Sequence, residues 1–351
     1  MTDTPEASKV ALLARSWRGP VVEAEHYGLV AAADTQGRLL AAQGDPQAPV
    51  VLRSSAKPLQ ALAVVTSGAR ERFDLQPRHL AVCCGSHSGS ADHQGVVREI
   101  LARLGLPESA LACGTHWPDD PLESRRLYRE GLHPTPLHNN CSGKHAGMLA
   151  VARALEASPD GYLDPHHPVQ ALVRSHLARM TGVPPEALVP LLDGCGAPTY
   201  ALPLAAVATG FARLAAPQSL PPDLREAAVE VAAAMVAYPE LVQAEGGFNT
   251  ELLRAGAGRV VAKGGAEGLF ALGLADRGLG LAIKVSDGSG RPWPPVVCAL
   301  LRATPEGCPS ELEPFARPRQ TNCHGAVVGY LEAAPQLRRL PLSSAPQEDS
   351  A

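Results

Sequence analysis

The run His138-Asn-Asn-Cys-Ser-Gly-Lys-His-Ala-Gly-Met148 constrains this chain more than any other stretch. It brings amide, thiol, hydroxyl, amine and imidazole groups together, with glycines at 143 and 147. Behind it, Met148, Leu149, Val151, Ala152 and Leu155 recur at helical spacing. Ahead of it, Thr135-Pro-Leu-His138 reads as a short extended approach. A strand-to-helix elbow is expected, where backbone N–H groups are unpaired and the helix dipole favours negative charge. A thiol held there is pushed towards thiolate, which makes Cys141 a candidate metal ligand or nucleophile. The plainer reading is a capped helix whose Asn and Ser side chains satisfy backbone donors. The density of reactive groups argues against it.

With 351 residues and 45% apolar side chains, the chain can bury a large core. One catalytic unit over residues 21–340 is expected, with room for two interleaved subdomains. An N-terminal tail, 1–20, precedes it and a disordered tail, 341–351, follows. A net charge of −4 without a basic tract speaks against nucleic acid as a partner. No apolar run approaches the roughly 18 residues of a membrane span. The first residues also lack the apolar segment of a secretory signal. A soluble, cytoplasmic protein is therefore expected, with its eight cysteines reduced.

Along the chain, Val21 to Gly44 reads as a hairpin about the turn Asp34-Thr-Gln-Gly37. Val50–Arg53 is extended and delivers Ser54-Ser-Ala-Lys57, and Pro58 opens a helix through about Thr66. His79–Cys84 reads as a strand, Asp92–Leu104 as a helix stopped at Gly105, and Pro121–Glu130 as a charged surface helix. Helices are further expected over His167–Met180, Ala201–Leu214, Asp223–Val236 and Trp293–Ala303. Leu188–Leu192 runs into the tight site Asp193-Gly-Cys-Gly-Ala197. Val260 to Gly268 reads as a strand, a glycine turn and a helix start, and Gly280–Val285 as a strand.

Ser54-x-x-Lys57 has nucleophile-plus-base spacing, because a desolvated lysine can be neutral enough to take a serine proton. The alternative is that Ser54 or Ser55 caps the helix that Pro58 begins. Gly85-Ser86-His-Ser88-Gly89 offers a second serine on a loop, or an ordinary polar turn. Lys263-Gly-Gly places a lysine at a strand end, or on the surface beside a turn. Together, S-x-x-K, a serine loop and a Lys-Gly turn partly follow the order used by penicillin-recognising serine acyltransferases, which suggests acyl transfer at a serine. Cys141, Lys144 three residues on, and Cys195 with nearby Asp193 could supply two thiolates and a nitrogen to Zn²⁺. Spacing alone leaves that open, since lysine must bind deprotonated. Cys83 and Cys84 read as core positions on a strand.

Arg53-Ser-Ser-Ala-Lys-Pro-Leu-Gln60, Cys84-Gly-Ser-His-Ser-Gly89, His138–Met148, Asp193-Gly-Cys195 and Lys263-Gly-Gly-Ala-Glu-Gly268 resemble the L-asparaginase II family, the rhizobial-type, class 3 asparaginases. The resemblance spans about Glu23 to Gly329. It implies an α/β (α+β) fold like that of serine β-lactamases and glutaminases, a mixed sheet flanked by helices, and a homodimer. It also implies the Ser–Lys tandems Ser54–Lys57 and Ser86–Lys263, zinc held by Cys141, Lys144 and Cys195, and Asp193 close to the metal-bound water. Asn140 and His145 fall in the central motif and are expected to bind substrate or support the site. Gly264 departs from relatives that often carry a hydroxyl residue, which leaves open how the Lys263 turn is hydrogen-bonded.

The expected function is hydrolysis of L-asparagine to L-aspartate and ammonia, with Ser54 as nucleophile, Lys57 as its base and zinc as cofactor. Ser86 and Lys263 would form a coupled second pair. A glutaminase, another serine acyl hydrolase, or a non-catalytic protein with a structural zinc remain alternatives.

Overall fold

The computed structural model describes residues 9–342. Its strands are β1 (Ala11–Arg18), β2 (Val21–Asp34), β3 (Leu39–Gln43), β4 (Pro49–Val51), β5 (Pro190–Leu192), β6 (Pro198–Pro203), β7 (Val260–Gly264), β8 (Leu269–Leu274), β9 (Leu279–Val285), β10 (Arg319–Thr321) and β11 (Val327–Ala333). The main sheet runs β10-β11-β1-β2-β9-β8-β7, with β3 also paired to β2, and β4-β6-β5 form a small second sheet. Helices pack on both sides of the main sheet, as expected for an α/β protein. The ladders are antiparallel throughout, where the family resemblance implied a mixed sheet. Local hairpins (β1–β2, β2–β3, β7–β8, β8–β9, β10–β11) account for most of the pairings, and a hairpin can only be antiparallel.

The main sheet is buried on both faces, so its strands read as continuous apolar runs rather than alternating ones. Leu29, Ala31, Ala33, Ala271 and Ala282 face one core, shared with the helical region. Val30, Ala32, Leu272, Leu281 and Ile283 face the other, beneath the helix Trp293–Leu301. On the first face the helix Leu204–Ala215 lies directly on β2, β8 and β9. Gly273 and Gly280 are cross-strand partners there. A Cβ on Gly280 would come within 1.8 Å of the Ala208 carbonyl oxygen, and one on Gly273 within 2.1 Å of the Phe211 carbonyl oxygen. The absence of side chains at these two positions lets the helix backbone rest directly on the sheet.

Beyond that layer, the helix Lys57–Thr66 packs against Pro77–Cys84, Ser142–Ala154, Pro168–Thr181 and Pro222–Ala237. Among the described residues no helix is long and apolar enough to cross a membrane.

Several elements differ from the expectations. Ala11–Arg18, read as part of a tail, is β1 and lies between β2 and β11. Residues 343–351, most of the expected C-terminal tail, lie outside the described residues. His79–Cys84 is helical, within Pro77–Cys84. An apolar run this short does not distinguish helix from strand; Pro77 in the first turn, and the His79 ring accepting from the Gln76 N–H at 2.9 Å, decide it. Leu269 begins β8 instead of a helix, because Gly265 N–H bonds the Leu269 carbonyl at 2.7 Å and closes a hairpin. The approach to Cys141 is a 3-10 turn, Pro136–His138, rather than a strand. Pro198–Pro203 is β6, so the helix expected from Ala201 begins at Leu204.

Overpacking a filled interface costs about 1–3 kcal/mol or more, so Gly280→Ala should lower the melting temperature clearly. Gly95 lies within the helix Ala91–Leu104 with open space where a Cβ would stand. Gly95→Ala should raise stability by about 0.5–1 kcal/mol. Chemical denaturation of both variants checks the pair.

Candidate active site

The small sheet sets the position of Ser54. Leu52 N–H bonds the Tyr200 carbonyl at 2.9 Å, and Arg53 N–H bonds Thr199 Oγ1 at 3.1 Å, which ties the end of β4 to β6. Arg53 has a left-handed backbone at φ +46, an uncommon state for a residue with a side chain. Its guanidinium holds Asp193 Oδ1 at 2.5 Å. Ser54 follows directly on a short 3-10 helix, Arg53–Ala56. Neither Ser54 nor Ser55 caps a helix through its side chain. Ser55 is buried and donates to the Lys263 carbonyl at 3.1 Å. The Ser54 hydroxyl makes no hydrogen bond among the described residues.

Lys57 is 1% exposed. Its Nζ donates to Gly85 O at 2.6 Å, Ser86 Oγ at 3.0 Å and Asn140 O at 3.2 Å. The lysine therefore reaches Ser86 rather than Ser54, and Lys263 Nζ bonds the Gly264 carbonyl at 2.6 Å instead of Ser86. Close packing makes this possible. A Cβ on Gly143 would meet the Val82 carbonyl at 2.3 Å, and one on Gly147 would meet Cys83 Sγ at 2.8 Å. These glycines let the helix Ser142–Ala154 lie against Pro77–Cys84, so the Ser86 loop and the Asn140 loop close over one amine. His87 N–H bonds the Asn140 carbonyl at 3.3 Å across the same seam. Burial pushes the Lys57 pKa down.

Ser54, Ser86, Asn140 and Lys263 share one cavity of about 220 Å³. Gln243, Phe248, Asn249, Phe270 and Trp293 complete its walls. A larger open groove, about 1100 Å³, runs along the helix Pro121–Glu130 beside Trp117, Leu122 and Tyr128, and contains none of the candidate residues. The small cavity is where the chemistry converges. Burial, and then the nearby charge of Lys57, bring the Lys263 pKa down to about 7. Lys263 is thus poised to exchange a proton near neutrality. Gly264 N–H donates to Asn249 Oδ1 at 3.1 Å, which is how the turn after Lys263 is held. A side chain at 264 would press the Phe270 and Trp293 rings at 3.3 Å.

The sulfur cluster lies on the other side of Lys57. Cys141 stands at the N-terminus of the helix Ser142–Ala154, and Cys195 sits in the turn between β5 and β6. Lys144 Nζ donates to Cys195 Sγ at 2.9 Å and lies 4.0 Å from Asp193 Oδ2. The hydrogen bond from Cys195, helped by the Lys57 and Lys144 charges, holds the Cys141 pKa well below the usual thiol range. That same bond and burial raise Cys195. Burial opposes charge on Lys144, but the two sulfurs outweigh it and raise its pKa. Among the described residues no three His, Cys, Asp or Glu side chains form a metal-binding group. The third donor would therefore be Lys144. Two sulfurs and one amine, all buried, are a chemically sound set for a soft divalent ion once their protons are displaced.

His145 faces elsewhere: its Nδ1 pairs with the Tyr162 hydroxyl at 2.6 Å, and it does not line the cavity. The sequence reading did not single out Gln243, Asn249 or the aromatic wall. No motif marks them; Gly246-Gly247 ahead of Phe248-Asn249 was the one available sign of a tight turn.

No curated protein matches the chain. Among solved structures, a β-lactamase from Mycobacterium bovis is similar at 18% identity with a TM-score of 0.40, covering 78% of this chain and 93% of that one. The profile of the family described as L-asparaginase II matches residues 14–333, and the chain belongs to that family of amidohydrolases.

Proposed function

We propose that the protein hydrolyses the side-chain amide of L-asparagine, giving L-aspartate and ammonia. The observation that carries this reading is the meeting of Ser54, Ser86 and the low-pKa amine of Lys263 in one small cavity, with Lys57 bonded beneath it. Its volume of about 220 Å³ is below the ~300–1,000 Å³ typical of drug-sized ligands and suits a single amino acid.

Ser54 is the proposed nucleophile. Its hydroxyl is unengaged, and the strained Arg53 backbone that precedes it is of the kind that gathers at reacting groups. Ser86 relays its proton to Lys57, the buried amine that Ser86 contacts. Attack of Ser54 Oγ forms a bond to the amide carbon. The C–N bond then breaks, and Lys263 gives a proton to the departing ammonia. Water, deprotonated by the now neutral Lys263, adds to the acyl ester; the C–O bond to Ser54 breaks, and Lys57 returns its proton through Ser86 to the Ser54 oxygen as aspartate is released.

Cys141, Cys195 and Lys144 are the proposed zinc ligands, with Asp193 beside them. Bound zinc would supply a fixed positive charge for orienting a polar substrate group. The chain's own contribution there is Arg53, which fixes Asp193 and the Ser54 backbone together.

Four outcomes are expected. Ser54→Ala should abolish turnover and remove any acyl adduct seen by mass spectrometry of the intact protein. Lys57→Met should lower kcat by about 10²–10⁴-fold. Near-normal kcat in Ser54→Ala would transfer the nucleophile's role to Ser86. Since Lys263 must enter the reaction protonated to give its proton to the departing ammonia, kcat/KM should fall as pH increases through about 7. Removing the amine with Lys263→Met should erase that limb. Elemental analysis should find zinc in the purified protein and lose it in Cys141→Ser and Cys195→Ser, whereas full occupancy in both would place the metal elsewhere.

A further inference from the structure

Two carboxamide side chains on the cavity wall have no part in the serine chemistry. Asn249 is 3% exposed. Its Oδ1 accepts from Gly264 N–H at 3.1 Å, so that oxygen faces a fixed donor and the amide orientation is determined. Its Nδ2 is buried without a hydrogen-bond partner. Gln243 repeats the arrangement. Its Oε1 accepts from Asn249 N–H at 2.8 Å, and its Nε2 has no hydrogen bond among the described residues. Thr250 staples the segment by donating to the Gln243 carbonyl at 2.8 Å. Each oxygen is thus held by a backbone N–H, and each NH₂ group is left without a partner among the described residues, on two residues that line the cavity containing Ser54 and Lys263.

A buried donor without a partner is costly, and proteins retain one where something absent from the free state satisfies it. Among the described residues that line this cavity there is no acidic side chain, while Lys263 is there and Lys57 lies just beneath. An acceptor with negative charge fits such surroundings, and a cationic group does not. The geometry points to Asn249, with Gln243 beside it, as the receptor for the substrate's α-carboxylate. This assignment rests on the amidohydrolase reading above and adds the feature that would distinguish a free amino acid from a simple amide.

The test uses the full-length, metal-loaded protein and two substrates, L-asparagine and β-alaninamide, which has the same reacting amide but lacks the α-carboxylate. Asn249→Asp keeps an oxygen for Gly264 N–H and therefore the turn, but replaces the donor with a charge that repels a carboxylate. A hydrogen bond to a charged group is large enough that KM for asparagine should rise about 10- to 100-fold. Any change in kcat caused by the new charge near Lys263 should fall on β-alaninamide as well, so the expected result is that the preference for asparagine over β-alaninamide in kcat/KM drops about 10- to 100-fold. Gln243→Glu should act in the same direction, and calorimetry should show weakened binding of the product L-aspartate to both variants. An equal loss on both substrates would overturn the assignment and place the amide at the reacting end. An unchanged KM for asparagine in Asn249→Asp would also overturn it. Wild-type protein that hydrolyses neither substrate would instead overturn the amidohydrolase reading itself.

Discussion

The site depends on burying three amines close together. Lys57, Lys144 and Lys263 are 1%, 4% and 3% exposed, and an ammonium removed from water is strongly disfavoured unless an opposite charge or good acceptors meet it. The sequence provides few opposite charges here: the Cys141 thiolate and Asp193. Lys144 lies nearest to them and keeps its proton. Lys57 has two carbonyls and a hydroxyl, and Lys263 a single carbonyl. Burial therefore lowers the pKa of both, that of Lys263 to about 7. Acid–base capacity at neutral pH follows from that shortage of anions.

Such a cluster can persist only if the backbone around it is held rigidly, since any loosening would admit water and restore ordinary pKa values. Rigidity comes from close approach. The helix Ser142–Ala154 meets Pro77–Cys84 through Gly143 and Gly147, and the Ser86 loop is bonded both to Val242 and to Asn140. On the opposite wall, Arg53 joins the Ser54 turn to Asp193, so the serine and sulfur halves share one ion pair.

The chemistry-bearing motifs were legible because reactive side chains and glycines cluster in short runs, and the cavity does unite Ser54, Ser86, Asn140 and Lys263. Their mutual bonding was not legible. That Lys57 turns to Ser86 depends on how two helices pack, which no local spacing encodes. Secondary structure was clearest where caps and periodicity agreed, as in Ala91–Leu104, which ends at left-handed Gly105, and Pro121–Glu130. It failed at short apolar runs such as His79–Cys84, where burial on all sides removes the period. It also failed at β1, whose neighbour β11 lies at the far end of the chain. Asn249 and Gln243 escaped notice because a carboxamide near a turn looks like any other polar residue until its oxygen is seen to be occupied.

The order of the main sheet bears on how the chain is made. β2 pairs with β9, Gly28 opposite Val285, so the whole helical region is inserted between strands that end up adjacent. During synthesis the first three strands emerge long before residues 279–285. Over that interval the segment Gly28–Asp34 presents an unpaired apolar edge, the kind that invites pairing with another chain. The strand at the middle of the finished sheet thus keeps one edge open until β9 arrives.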